Sequence, residues 1–175
     1  MRPFVVGPIL GVILVAAGVY VFFASGLAPV ATAAQAMPFE RMLAKKALHV
    51  RVEKEMPRKP PPVPTDESTY TASAQVYVNN CATCHGLPGR PETAIAKGEF
   101  PEPPQLFHGK GVTDDPPGET YWKVANGIRL TGMPAYRQSL SDTQLWQVSV
   151  MLANADKLPE SVKQMLASAK AMPLQ

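Results

Sequence analysis

The chain has 175 residues, which is room for one globular domain with appendages and excludes a large multi-substrate enzyme. Apolar residues make up 46% and charged residues only 18%, with 19 prolines, so the average hides regions of different composition. Charge divides unevenly: residues 1–64 carry net +5, residues 65–156 net −4 and residues 157–175 net +2. The acidic middle argues against a nucleic-acid-binding core, which would concentrate Lys and Arg on the folded domain. Two cysteines are too few for a disulfide scaffold, and their close spacing marks a site instead.

In chain order, the first element runs from Phe4 to Ala24, 21 residues without a charge. As a helix it would extend roughly 32 Å, the thickness of a bilayer's hydrocarbon core. A cleaved signal peptide is the competing reading, because Ala34-Gln35-Ala36 has the small-x-small form of a cleavage site. The apolar run is longer than a normal signal core, and the site lies well beyond its end, which favours an uncleaved anchor. Arg2 precedes the span while Arg41, Lys45 and Lys46 follow it, so the positive-inside count leaves orientation undecided.

The next stretch, from Pro38 to Glu55, lacks internal Gly and Pro and places Phe39, Leu43, Ala47 and Val50 at helical spacing among Lys and Arg. It reads as a basic amphipathic helix, either a solvated spacer or an element that docks on a membrane surface or neighbouring subunit. Pro57, Pro60, Pro61, Pro62 and Pro64 then impose an extended segment of roughly 3 Å per residue, with a domain boundary expected near Thr65.

Beyond it, Asp66 to Asn80 predicts a helix that leads into Cys81-Ala82-Thr83-Cys84-His85. This is the C-x-x-C-H pattern of covalent c-type haem attachment. On a helical turn positions i, i+3 and i+4 share a face, so two thiols can form thioethers while the imidazole reaches iron. A thioredoxin-like dithiol would sit at the start of a helix after a strand, whereas a helical lead-in precedes this one. A zinc site would need a fourth ligand, and His49 and His108 have no ligand-pair spacing.

Glu119 to Asn126 predicts a short helix stopped by Gly127. It is followed by Thr131-Gly132-Met133-Pro134-Ala135-Tyr136, where Gly and Pro break the helix and can hold a thioether toward the open face of a haem. Met133, 48 residues after His85, is therefore the candidate second axial ligand. Met151 and Met165 lie in helical patterns and read as core. Ser141-Asp142-Thr143-Gln144 has capping-box form and opens a last helix carrying Leu145, Trp146, Val148, Met151 and Leu152. Lys163 to Ala171 reads as a short peripheral helix.

With these residues in hand, the sequence resembles a class I cytochrome c, most closely the membrane-anchored monohaem cytochromes and oxidase cytochrome subunits. They carry a similar G-x-x-x-T-G-M-P pattern, here Gly127 to Pro134. The resemblance covers about residues 68 to 155 and implies an all-α fold around one covalently bound haem c, with His85 proximal and Met133 distal. It also implies that a proline carbonyl accepts the hydrogen bond of the proximal imidazole, within a P-x-L sequence matched by Pro104-Gln105-Leu106. Many members carry glycine in the first helix where this chain has Ala74. Tyr77 and Trp146 are expected as aromatic contacts between the first and last helices. Trp122, Tyr136 and Arg129 are candidates for haem-edge or propionate contacts, with core packing or a solvated charge the alternatives.

The chain thus reads as an N-terminal anchor (residues 1–36), a basic stalk with a proline linker (37–64), a cytochrome c domain (65–156) and a C-terminal peripheral helix or tail (157–175). The expected function is single-electron transfer between redox partner proteins of a respiratory or photosynthetic chain, as a tethered carrier or as a subunit of an integral membrane complex. The expected place is the bacterial inner membrane, with the haem domain periplasmic and no nucleic-acid partner. No nucleotide fingerprint or nucleophile–base pair suggests an enzyme. The competing class is a peroxidase-like haem enzyme or gas sensor with a displaceable distal Met, and an inert structural haem is a third.

Overall fold

A computed structural model describes residues 3–109 and 111–170, and among them every regular element is helical. The described chain divides into two units between Arg41 and Met42.

The first unit contains α1 (Pro3–Ala24), whose segment Val6–Ala24 is long and apolar enough to cross a membrane and is largely exposed. Such a surface is costly in water and suited to hydrocarbon, where a helix satisfies its own backbone polar groups.

α2 (Glu40–Glu55) forms where the run without Gly or Pro predicts it, but it turns a different face inward. Val52 is buried, and Leu48 and Met56, four residues to either side, are half-buried. The expected stripe of Leu43, Ala47 and Val50 faces out, and Phe39 lies outside the helix with φ 65°. Spacing alone does not choose between two apolar faces of one helix.

The proline segment that follows stays with the second unit: a Cβ at Gly118 would overlap the carbonyl oxygen of Pro57. The indole Nε1 of Trp122 donates to Glu55 at 3.2 Å, so Trp122 serves the end of α2.

α3 (Glu67–Asn80) starts at Asp66, whose carboxylate accepts from the Thr69 backbone N–H at 2.8 Å. α4 (Ala82–His85) continues from it after Cys81, and α5 (Ala94–Gly98) is capped by Thr93. α6 (Pro117–Asn126) ends at Gly127 with φ 67°, where a Cβ would also press on the Pro134 and Ala135 backbone. α7 (Asp142–Ala153) opens on the Ser141–Gln144 capping box, with both reciprocal bonds formed.

α3 packs against α7, and α6 against α7, around a core that includes Ala74, Tyr77, Leu145, Val148 and Met151. Ala74 is fully buried on α3, so its methyl group is accommodated within the core. Tyr77 and Trp146 are both in this core but stack elsewhere than on each other. Tyr77 meets Phe107 edge-on at 5.0 Å, and Trp146 lies parallel to Tyr121 at 4.2 Å.

α8 (Glu160–Ser168), expected at the periphery and from Lys163, starts earlier and packs on α3. It buries Val162 and Leu166 completely, because their four-residue spacing puts both on one face. Ala171, the expected end of that helix, and the rest of the tail lie outside the described residues.

Candidate functional site

The Cys81–His85 turn is made by consecutive backbone bonds. Cys81 N–H reaches back to Tyr77 at 2.8 Å, His85 N–H to Cys81 at 2.9 Å, and Gly86 N–H to Ala82 at 3.0 Å. Gly86 ends the turn with φ 72°, and a Cβ there would overlap the Gln105 side chain. Only glycine meets both demands without strain. Tyr77, one turn before Cys81, donates its hydroxyl to the Gly86 carbonyl at 2.8 Å, tying α3 to the far end of the motif.

His85 has one ring nitrogen committed. Its Nδ1 lies 2.8 Å from the Pro104 carbonyl oxygen, and because a carbonyl only accepts, Nδ1 carries the proton. Nε2 is then the lone-pair nitrogen, and it forms no hydrogen bond among the described residues. Burial lowers the tendency of this imidazole to take a second proton, outweighing the opposing effects of Pro104 and Glu99. A neutral ring with a fixed tautomer and a free Nε2 is what an iron ligand requires. Gln105 supports the same loop by donating to the Cys84 carbonyl at 3.2 Å, and Leu106 packs against the core.

The surroundings of the two thiols disfavour a redox dithiol. Burial, with Cys84 beside it, pushes the Cys81 thiol up to about 12. Burial and the bond and charge of Glu99 push Cys84 up to about 11. A reactive dithiol needs the opposite shift, which stabilises its thiolate. Nor do the described residues hold a cluster of three or more His, Cys, Asp or Glu side chains able to bind a metal ion.

Met133 sits half-buried against the core in a loop closed by its own backbone. Ile128 N–H donates to the Met133 carbonyl at 3.2 Å, and Met133 N–H to the Thr131 hydroxyl at 3.1 Å. Tyr136 N–H returns to Val124 on α6 at 3.0 Å. Two side chains bring this loop to the cysteine turn. The Tyr136 hydroxyl donates to the Asn80 carbonyl at 2.7 Å, one residue before Cys81. The Glu99 carboxylate accepts from the Cys84 thiol at 3.2 Å and also abuts Gly132, next to Met133.

The donors fit a covalently held haem: two thiols and an imidazole on one turn, with a thioether on a loop tied to the same turn. The family model for cytochrome C oxidase, cbb3-type, subunit III matches residues 68–150, the stretch that contains all of them. The domain is a class I cytochrome c. It carries c-type haem covalently and serves electron transfer. No curated protein matched the chain.

Within the cytochrome domain, Cys81, Cys84, His85, Pro104, Leu106 and Met133 lie on elements joined by the bonds above. Arg129 is exposed and forms no hydrogen bond or ion pair among the described residues. Glu99 and Gln105 escaped the sequence reading as contributors to the site. Gln105 was visible only as the middle letter of the P-x-L match, and Glu99 has no local signature, since its partners lie 15 residues before it and 33 after.

Proposed function

We propose that the chain is a membrane-anchored monohaem cytochrome that passes single electrons between protein partners of a respiratory or photosynthetic chain. α1 lies in the bacterial cytoplasmic membrane and the haem domain on its periplasmic side, as a tethered carrier or as a subunit of a larger complex. The observation that carries this reading is the division of labour on the His85 ring, Nδ1–H held by Pro104 and Nε2 left for iron.

Cys81 and Cys84 would hold the haem through thioethers, and His85 and Met133 would offer its iron an imidazole and a thioether. Bound haem supplies a one-electron ferrous–ferric cycle, and a methionine ligand favours the ferrous form and so raises the potential. Pro104 fixes the orientation of the His85 ring and increases its donor strength. The Met133 loop, tied to α6 and to Asn80, keeps the thioether in place, so a small molecule finds no open position. That separates a carrier from a peroxidase or gas sensor, both of which need access to the distal side. The periplasmic placement rests on the family resemblance, which implies that the thioethers are formed by maturation machinery outside the cytoplasm.

The test uses native membranes. The haem should be reduced and reoxidised by chain components and remain with the membrane through alkaline carbonate extraction, and protease added to the periplasmic face should release the haem domain. Carbon monoxide should leave the ferrous spectrum unchanged. A carbon monoxide adduct in the wild-type protein would favour the enzyme or sensor reading, and absence of redox turnover would favour an inert haem.

A further inference from the structure

α2 has one face held by the haem domain and an apolar face turned away from it. Val52 follows Leu43 by nine residues, about two and a half turns, so the two lie on opposite sides of the helix. Val52 is 1% exposed, whereas Leu43 is 61%, Met42 59% and Val50 51% exposed. A helix that only covers a soluble domain carries polar residues on its outer face. Here the outer face is Leu43, Ala47 and Val50, with Lys46 between them and Lys54 one turn beyond.

The charge around this face is one-sided. Residues 41–59 hold seven Lys or Arg and two Glu. Both glutamates are paired, Glu55 with Arg51 at 2.7 Å and Glu53 with Arg58 at 3.4 Å. Lys45, Lys46, Lys54 and Lys59 form no ion pair among the described residues. An apolar stripe crossed and flanked by unpaired lysines suits the boundary of an anionic bilayer, where the stems lie along the acyl surface and the ammonium groups reach the headgroups.

The chain itself brings that bilayer near. Fifteen residues separate Ala24, the end of the apolar span, from Glu40, the start of α2. Even fully extended they reach only about 50 Å.

We propose that the Leu43–Val50 face of α2 lies on the anionic phospholipid surface of the membrane that holds α1. The inference rests on the anchor reading above and adds a second, in-plane contact. Because the end of α2 is joined to α6 through Glu55–Trp122 and Pro57–Gly118, a docked α2 also fixes how the haem domain is presented to its partners.

The test uses the full-length holoprotein in vesicles of phosphatidylcholine, with or without phosphatidylglycerol. Haem attachment consumes both native cysteines, so Leu43→Cys gives a unique thiol for a nitroxide, and Lys163→Cys, on the exposed side of α8, gives a reference. With phosphatidylglycerol present, the label at position 43 should become accessible to oxygen and shielded from a water-soluble nickel reagent, while the label at 163 stays nickel-accessible. At roughly fivefold per lysine near an anionic surface, Lys46→Glu/Lys54→Glu should shift docking by on the order of 25-fold toward water. The haem spectrum should not change. The proposal is overturned if the position-43 label remains as nickel-accessible as the reference while the protein floats with the vesicles. It is equally overturned if that label is shielded from both reagents whatever the lipid, which would indicate a protein partner or a second copy. Failure to float would remove the anchor, and this proposal with it.

Discussion

The cysteine turn and the methionine loop do related jobs by opposite means. Cys81 to His85 is a single helical turn whose bonds span three or four residues and whose orientation follows from α3 directly. The Met133 loop has no helix of its own. It is positioned by a return to α6 and by the Tyr136 hydroxyl, which reaches Asn80 across 56 residues of sequence. A turn made of local bonds forms wherever its helix forms, whereas a loop held by distant bonds depends on the finished fold. The proximal side should therefore be rigid, and the distal side is where tuning and failure concentrate.

The largest effect comes from breaking the turn chemically. Replacing Cys81 and Cys84 together by Ser should abolish covalent haem while leaving the helical bonds intact, since no backbone group is altered. Denaturing-gel haem stain reads the first result and far-ultraviolet circular dichroism the second. An undiminished stain in the double variant would remove the attachment assignment.

A smaller effect sharpens the contrast between the two sides. Tyr136→Phe deletes the hydrogen bond to Asn80 and keeps the ring, so it should cost about 1 kcal/mol of stability. It should also loosen the distal side selectively, seen as faster cyanide binding to the ferric protein. Tyr77→Phe, which removes the bond to Gly86, should cost a similar amount with no change in cyanide rate. Equal cyanide rates in the two variants would mean that Tyr136 only packs.

The smallest effect lies outside the site. Asp66 caps α3, and the Thr69 backbone N–H, helped by Ser68, holds its carboxyl below the usual carboxylate range. A depressed folded-state value means that this stabilisation is present above the unfolded value and is lost as pH falls through the folded one. Asp66→Asn keeps a capping acceptor and removes the charge, so denaturant midpoints measured from neutral pH down to strong acid should show a slightly shallower loss of stability than wild type. An unchanged slope would show that the cap contributes nothing to acid sensitivity.

What could be read from the sequence follows the same division between local and distant bonds. The Ser141–Gln144 box, the Asp66 start and the Gly127 stop each act within a few residues, and each helix begins or ends within two residues of where these signals put it. The cysteine turn was legible for that reason too. The inward face of α2 was not, because Leu43–Val50 and Leu48–Val52 are equally good helical spacings and only the packed domain selects one. From the sequence α8 reads as a peripheral element, because two apolar residues on a short helix look the same whether or not a partner waits for them. Glu99 and the Tyr136–Asn80 bond left no trace in the sequence, since each joins segments that only the fold brings together.

The central claim is that Met133 is the distal donor while Met151 is core. Met133→Ala should lower the reduction potential and let ferrous protein bind carbon monoxide, with stability little changed. Met151, fully buried, should on replacement by Ala cost about 2–5 kcal/mol of stability and leave both the potential and the closed distal side intact. Carbon monoxide titration of the two ferrous variants beside wild type decides it. An adduct in Met133→Ala alone is the predicted result. No adduct in Met133→Ala, or an adduct in Met151→Ala instead, would contradict the assignment and the arrangement of the distal loop with it.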